Sequence, residues 1–122
     1  MQVPYVDLAA QHRPIKAELL AAIERVLDHG QFILGPEVGE FERRFRTLCG
    51  VKHAVAVNSG TDALVFALRA LGIGSGDEVI TAPNSFIASV SCIAMVGATP
   101  IFSDVAEDYN LDPAKVEAAI TP

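Results

Sequence analysis

Between Pro14 and His29 the apolar residues Ile15, Leu19, Ile23, Val26 and Leu27 recur three or four positions apart. That spacing puts them on one face of a helix, which Pro14 opens and Gly30 stops. A second helix carries the same signs: Pro36 starts it, Val38, Phe41, Phe45 and Leu48 form its stripe, and Gly50 ends it. The linker Gln31-Phe32-Ile33-Leu34-Gly35 reads as a short apolar loop that packs rather than projecting into solvent. From residue 53 the period changes. His53-Ala54-Val55-Ala56-Val57 reads as a buried strand, Thr61 to Leu71 as a helix ending at Gly72, and Glu78-Val79-Ile80-Thr81 as a second strand. Ser85 to Val96 then reads as a helix stopped by Gly97, Thr99-Pro100-Ile101-Phe102 as a third strand, and Asp112-Pro113 as the start of a helix over Ala114 to Ile120.

The pattern predicts an α/β fold: a helical segment over residues 1–50, then a β-α-β-α-β unit over 51–122. Such alternation implies a largely parallel sheet covered by helices, with ligands bound where the strands end. Ile120-Thr121-Pro122 follows a helix without the polar tail that usually closes a domain, so a single, incomplete domain is expected.

Composition narrows the classes. At 122 residues, 51% hydrophobic and 20% charged, the chain is too apolar to be a disordered segment. Its apolar stretches break well before the ~18 residues a membrane span needs, and Met1 to Arg13 has no basic and apolar leader, so a cytoplasmic protein without membrane attachment is expected. The net charge of −6 lies wholly in the second half, because residues 1–61 hold seven charges of each sign. Nucleic acid needs clustered Lys and Arg and is not an expected partner. Arg43, Arg44 and Arg46 read as the wet face of a helix. Cys49 and Cys92 lack the spacing of a zinc site or a disulfide framework and read as small apolar residues; no metal site is expected.

Two segments could carry chemistry. Asn58-Ser59-Gly60-Thr61-Asp62-Ala63 joins the first strand to a helix, where a glycine admits a ligand and free first-turn N–H groups favour an anion such as phosphate. The plainer alternative is an ordinary turn capped by Ser59 or Thr61. Ala82-Pro83-Asn84-Ser85-Phe86-Ile87-Ala88 follows the second strand, and Phe86 could stack on a planar ring, although taken alone it reads as core. The glycines of Gly72-Ile73-Gly74-Ser75-Gly76 precede a strand and read as a turn, as does Asp104. Lys16, Lys52 and Lys115 are not placed as nucleophiles, and His12, His29 and His53 are scattered without an acid partner at a useful spacing.

Taken in order, Phe32-Ile33-Leu34-Gly35-Pro36-Glu37-Val38, Gly50-Val51-Lys52-His53-Ala54-Val55, Asn58-Ser59-Gly60-Thr61-Asp62-Ala63-Leu64, Gly76-Asp77-Glu78-Val79-Ile80, Ser85-Phe86-Ile87-Ala88 and Gly97-Ala98-Thr99-Pro100-Ile101-Phe102 resemble the N-terminal part of the DegT/DnrJ/EryC1/StrS aminotransferases. The resemblance implies a three-layer α/β/α fold, the N-terminal part of the large domain of a fold-type I pyridoxal-phosphate transferase. It also implies a cytoplasmic homodimer that moves an amino group from glutamate or glutamine to a nucleotide-linked keto-sugar, in amino-sugar or polysaccharide biosynthesis. Carried over by residue, Gly60 and Thr61 with Asp62 beside them match the loop that holds the cofactor phosphate, and Phe86 the aromatic on the pyridine ring. The family's cofactor-bearing lysine and its ring-pairing aspartate match nothing within residues 1–122. An inactive N-terminal fragment, roughly a third of an enzyme, is therefore expected, with cofactor binding weak or absent. The family's first strand would also lack its neighbours in such a fragment, which would then rearrange, associate or be only marginally stable. Two other readings stand beside this one: a related sugar dehydratase, and a non-catalytic α/β module that binds a phosphate ligand or a partner.

Overall fold

A computed structural model describes residues 3–121, and the chain divides into two compact units, Met1–Ala56 and Val57–Pro122.

The first unit is helical. Asp7 caps a short α1, Leu8–His12, by accepting the Ala10 N–H at 2.9 Å, and a 3₁₀ turn over Arg13–Ile15 leads into α2, Lys16–His29. Gly30 takes the left-handed conformation at φ 68° and ends α2, which a residue without Cβ does at least cost. Pro36 opens α3, Pro36–Cys49, as its position implies. The apolar stripes are largely uncovered: Leu19, Ile23 and Leu27 of α2 and Phe41 and Phe45 of α3 are exposed, the two rings stacked at 5.6 Å. Cys49 is exposed as well, so it is not the packed apolar residue expected. Nor does the 31–35 linker pack, because the side chains of Phe32, Ile33 and Leu34 lie in solvent. On the wet face Arg43 and Arg44 both bond Glu40, at 2.7 and 2.6 Å, and hold its carboxyl down at about 2.

Residues 53–57 form no strand. Their alternation suits an extended chain, but a strand exists only with a hydrogen-bonded neighbour. The Ala56 N–H is bound instead by Glu42 Oε1 of α3, at 2.8 Å.

The second unit alternates helix and strand. Gly60–Ala70 is α4, Glu78–Thr81 is β1, Ala88–Met95 is α5, Thr99–Phe102 is β2 and Pro113–Ala118 is α6. The strands pair in parallel, Glu78 with Thr99 through Thr81 with Phe102, so both end on the same side. Pro100, which cannot donate to a ladder, is tolerated because β2 is an edge strand. Val65, Cys92, Ile93 and Ala98 are buried together, with Leu68, Ile73, Val79 and Val96 packed round them. Gly72 and Gly76 adopt φ of 77° and 96° in the turn before β1, which Asp77 closes by accepting the Gly74 N–H at 2.8 Å. After α6 the chain returns to the sheet, where the Thr121 hydroxyl donates to Glu78 Oε2 at 2.6 Å. Helix α5 begins at Ala88 rather than Ser85, since Pro83 to Ile87 form a turn.

Candidate functional site

Ser59 is extended, at φ −155° and ψ 165°, and it caps α4: its Oγ accepts the Asp62 N–H at 3.1 Å while its carbonyl accepts the Ala63 N–H at 3.0 Å. A helix leaves its first N–H groups without internal partners. Ser59 supplies the third and the main chain the fourth. Among the described residues the N–H groups of Gly60 and Thr61 are left without an acceptor. A Cβ added at Gly60 would meet nothing within 4 Å, so the side of the first turn where a side chain would stand is open.

Two adjacent free N–H groups at the positive end of a helix suit an anion with oxygens to spare. The Asp62 side chain, half-buried in the same turn, works against a negative ligand, and its own N–H is already taken by Ser59. Residues 62–122 hold only two cations, Arg69 near the far end of α4 and Lys115 on α6. Neither lies in the turn, so what the turn itself offers a phosphate is its backbone N–H groups and neutral polar side chains. Replacing Ser59 with alanine removes the cap and is expected to cost about 1 kcal/mol of α4 stability. Amide exchange along residues 60–66 checks this, and protection unchanged from the parent chain would count against the cap.

Phe86 lies in the turn beyond the end of β1 and is 76% exposed, so it is not the core residue that its type alone suggests. Next to it the Ser85 and Ser89 hydroxyls share a hydrogen bond of 2.7 Å. At the corresponding end of β2, Asp104 accepts the Val105 N–H at 2.9 Å and the Lys115 ammonium at 3.3 Å, which hold its carboxyl below its usual range. It is thus a turn residue that is already partnered. An apolar groove of about 300 Å³ opens beside β1 between Leu64, Leu68, Val79, Ile80 and Ile93, but neither Gly60 nor Phe86 lines it.

One pairing escaped the sequence. His29 Nε2 lies 3.1 Å from Glu37 Oε1, so the histidine has an acid partner after all. A helix-ending Gly30 and a helix-starting Pro36 imply a tight connection, and that was the signal for it. Among the described residues no cluster of three or more His, Cys, Asp or Glu could hold a metal, and no helix is long and apolar enough to cross a membrane.

The sequence matches the model of the DegT/DnrJ/EryC1/StrS aminotransferase family over residues 13–122. It is 52% identical over 122 residues to a dTDP-3-amino-3,4,6-trideoxy-alpha-D-glucose transaminase of Streptomyces venezuelae, covering 99% of this chain and 32% of that protein. It is 46% identical to a UDP-2-acetamido-2-deoxy-3-oxo-D-glucuronate aminotransferase of Pseudomonas aeruginosa, covering 98% and 34%. Among solved structures, the Streptomyces venezuelae DesV complex with a ketimine intermediate superposes with a TM-score of 0.94 at 52% identity, over 99% of this chain and 33% of that one. A Bacillus subtilis protein, NtdA, with its cofactor PMP bound superposes with a TM-score of 0.93 at 35% identity, over 99% and 28%. The chain thus spans about a third of the length of these relatives.

Proposed function

This chain belongs to the DegT/DnrJ/EryC1/StrS aminotransferase family, and from that premise we propose that it forms the N-terminal part of the large, cofactor-binding domain of a pyridoxal-phosphate-dependent aminotransferase. The substrate is a nucleotide-linked keto-sugar and the donor glutamate or glutamine, a reading supported by the sugar-nucleotide transaminases among its relatives. Those same relatives favour amino transfer over the dehydratase alternative. The observation that carries the cofactor assignment is the pair of N–H groups at Gly60 and Thr61, which have no acceptor among the described residues, beside open space at Gly60.

In this reading Gly60 and Thr61 hold the phosphate, Ser59 fixes the turn that aims them, and Phe86 lies against one face of the ring. Asp62 flanks the phosphate without donating to it, since its N–H is bound by Ser59. When bound, pyridoxal phosphate supplies an electron-withdrawing ring for the carbon that exchanges its amino group. Lys16 begins α2, Lys52 follows α3 and Lys115 is bonded to Asp104, so no lysine here is assigned to the reaction and this chain alone is expected not to transaminate. The uncovered apolar side chains of α2 and α3 support burial against another polypeptide, and we read the working enzyme as a cytoplasmic homodimer.

Pyridoxamine phosphate, which has the same ring and phosphate but no aldehyde to react with lysines, is the probe. Titrated into the ¹⁵N-labelled chain, it is expected to shift the Gly60 and Thr61 amides most. Saturable shifts elsewhere with these two unmoved would overturn the assignment. Replacing Phe86 with alanine is expected to weaken pyridoxamine phosphate binding about fivefold, the ~1 kcal/mol of an aromatic stack, and to leave inorganic phosphate binding unchanged. Equal loss for both probes would remove Phe86 from the ring site.

A further inference from the structure

The turn between α2 and α3 is held by one imidazole with both nitrogens engaged. His29 Nδ1 accepts the Gln31 N–H at 3.1 Å, and the other ring nitrogen, Nε2, faces Glu37 Oε1 at 3.1 Å. A nitrogen that accepts an N–H carries no proton, so the ring is neutral with its hydrogen on Nε2, donated to the carboxylate. The turn it closes is strained and tight. Leu34 sits in the left-handed region at φ 50°, unusual for a residue other than glycine, and its carbonyl is held by the Gln31 side-chain amide at 3.3 Å. This closed turn displays Phe32, Ile33 and Leu34, which are 69%, 82% and 80% exposed.

We propose that His29 is a proton-operated clip on this turn: the neutral ring holds Gln31 and Glu37 together, and the imidazolium lets Gln31 go and frees the apolar triplet Phe32-Ile33-Leu34 to change conformation. A second proton can enter only at Nδ1, where it meets the Gln31 N–H head on. The bond is lost and replaced by a repulsive contact, while the Nε2 bond to Glu37 persists and gains charge. The ionised groups facing this site are Glu37 from α3 and Arg25 one turn back on α2. The Glu37 carboxyl is held below its usual range, first by its hydrogen bond from His29, and so stays ionised across the interval in which imidazoles change charge. With Leu34 in the left-handed region, losing this bond removes one of the contacts that hold the closed turn.

The test is ¹⁵N NMR of the full chain between pH 8 and pH 5. At pH 8 the His29 ring is expected to show Nδ1 unprotonated and Nε2 protonated. As the ring titrates, Gln31 amide protection, corrected for the intrinsic rate, is expected to fall about two- to tenfold, the worth of one net hydrogen bond. In His29→Asn the side-chain amide oxygen takes the place of Nδ1 and does not titrate, so protection at Gln31 is expected to stay flat. The proposal is overturned by a protonated Nδ1 at pH 8, by wild-type protection that does not follow the ring, or by an equal fall in His29→Asn. Because the first two readings need only the wild-type chain, a variant that fails to fold leaves the test intact.

Discussion

Truncating Ile93 to alanine is expected to destabilise the second unit by about 3 kcal/mol. Ile93 is 2% exposed and is the one large side chain in a cluster whose other buried members are Val65, Cys92 and Ala98. The loss combines two physical terms. Three buried carbons give up their transfer free energy, and they leave a space in a cluster drawn from several segments of the chain, which cannot all move inward together. Small domains have little stability in reserve, so a loss of this size is a large share of the total. Urea unfolding followed by amide signals of residues 57–121 measures it. Ile120→Ala, at a position 67% exposed, is the control and is expected to change little. Equal effects at the two positions would mean that this cluster is not the core of the unit.

Adding a single methyl group at Gly35 is expected to cost the first unit about 2 kcal/mol. The reason is space, not torsion. At φ −66° and ψ 169° the residue occupies extended backbone open to any side chain. A Cβ there would lie 2.6 Å from the Gln31 carbonyl oxygen and 3.1 Å from Glu37 Oε2. The first is a main-chain atom of the closed turn and can yield only if that turn opens, taking the His29 bond with it. Thermal unfolding followed at the α2 and α3 amides, with the His29 ring signals recorded on the same samples, separates the possibilities. A Gly35→Ala chain with unchanged midpoint and unchanged ring signals would show that the turn has more room than its geometry implies. Gly30→Ala offers a contrast in mechanism: open space surrounds that position, but its φ of 68° strains any Cβ-bearing residue, for about 1 kcal/mol.

What could be read from the sequence follows from how local each signal is. The strands at Glu78–Thr81 and Thr99–Phe102 fall where the short apolar runs between glycine turns place them, and α3 and α4 begin and end on their own capping residues. Helix α1 went unseen because five residues are too few to show a period, leaving Asp7 as the only clue. Residues 53–57 illustrate the opposite failure. Their alternation is as strand-like as any in the chain, yet pairing belongs to two segments at once, and among the described residues no second segment takes the role. The candidate phosphate turn was legible for the reason that β1 was: capping is decided within a few residues. Phe86 was legible only in part, since its residue type speaks for burial and its place beyond a strand end exposes it.

The parallel ladder has a kinetic consequence. Glu78 must find Thr99, about twenty residues away, and no two-residue turn can begin the pairing as it does in a hairpin. The intervening chain has to shorten first, which α5 does by coiling Ala88–Met95 and seating Cys92 and Ile93 against Val65 of α4. Helix docking and strand pairing are therefore expected to be coupled in this unit, with α5 in the folding nucleus and the ladder closing around it.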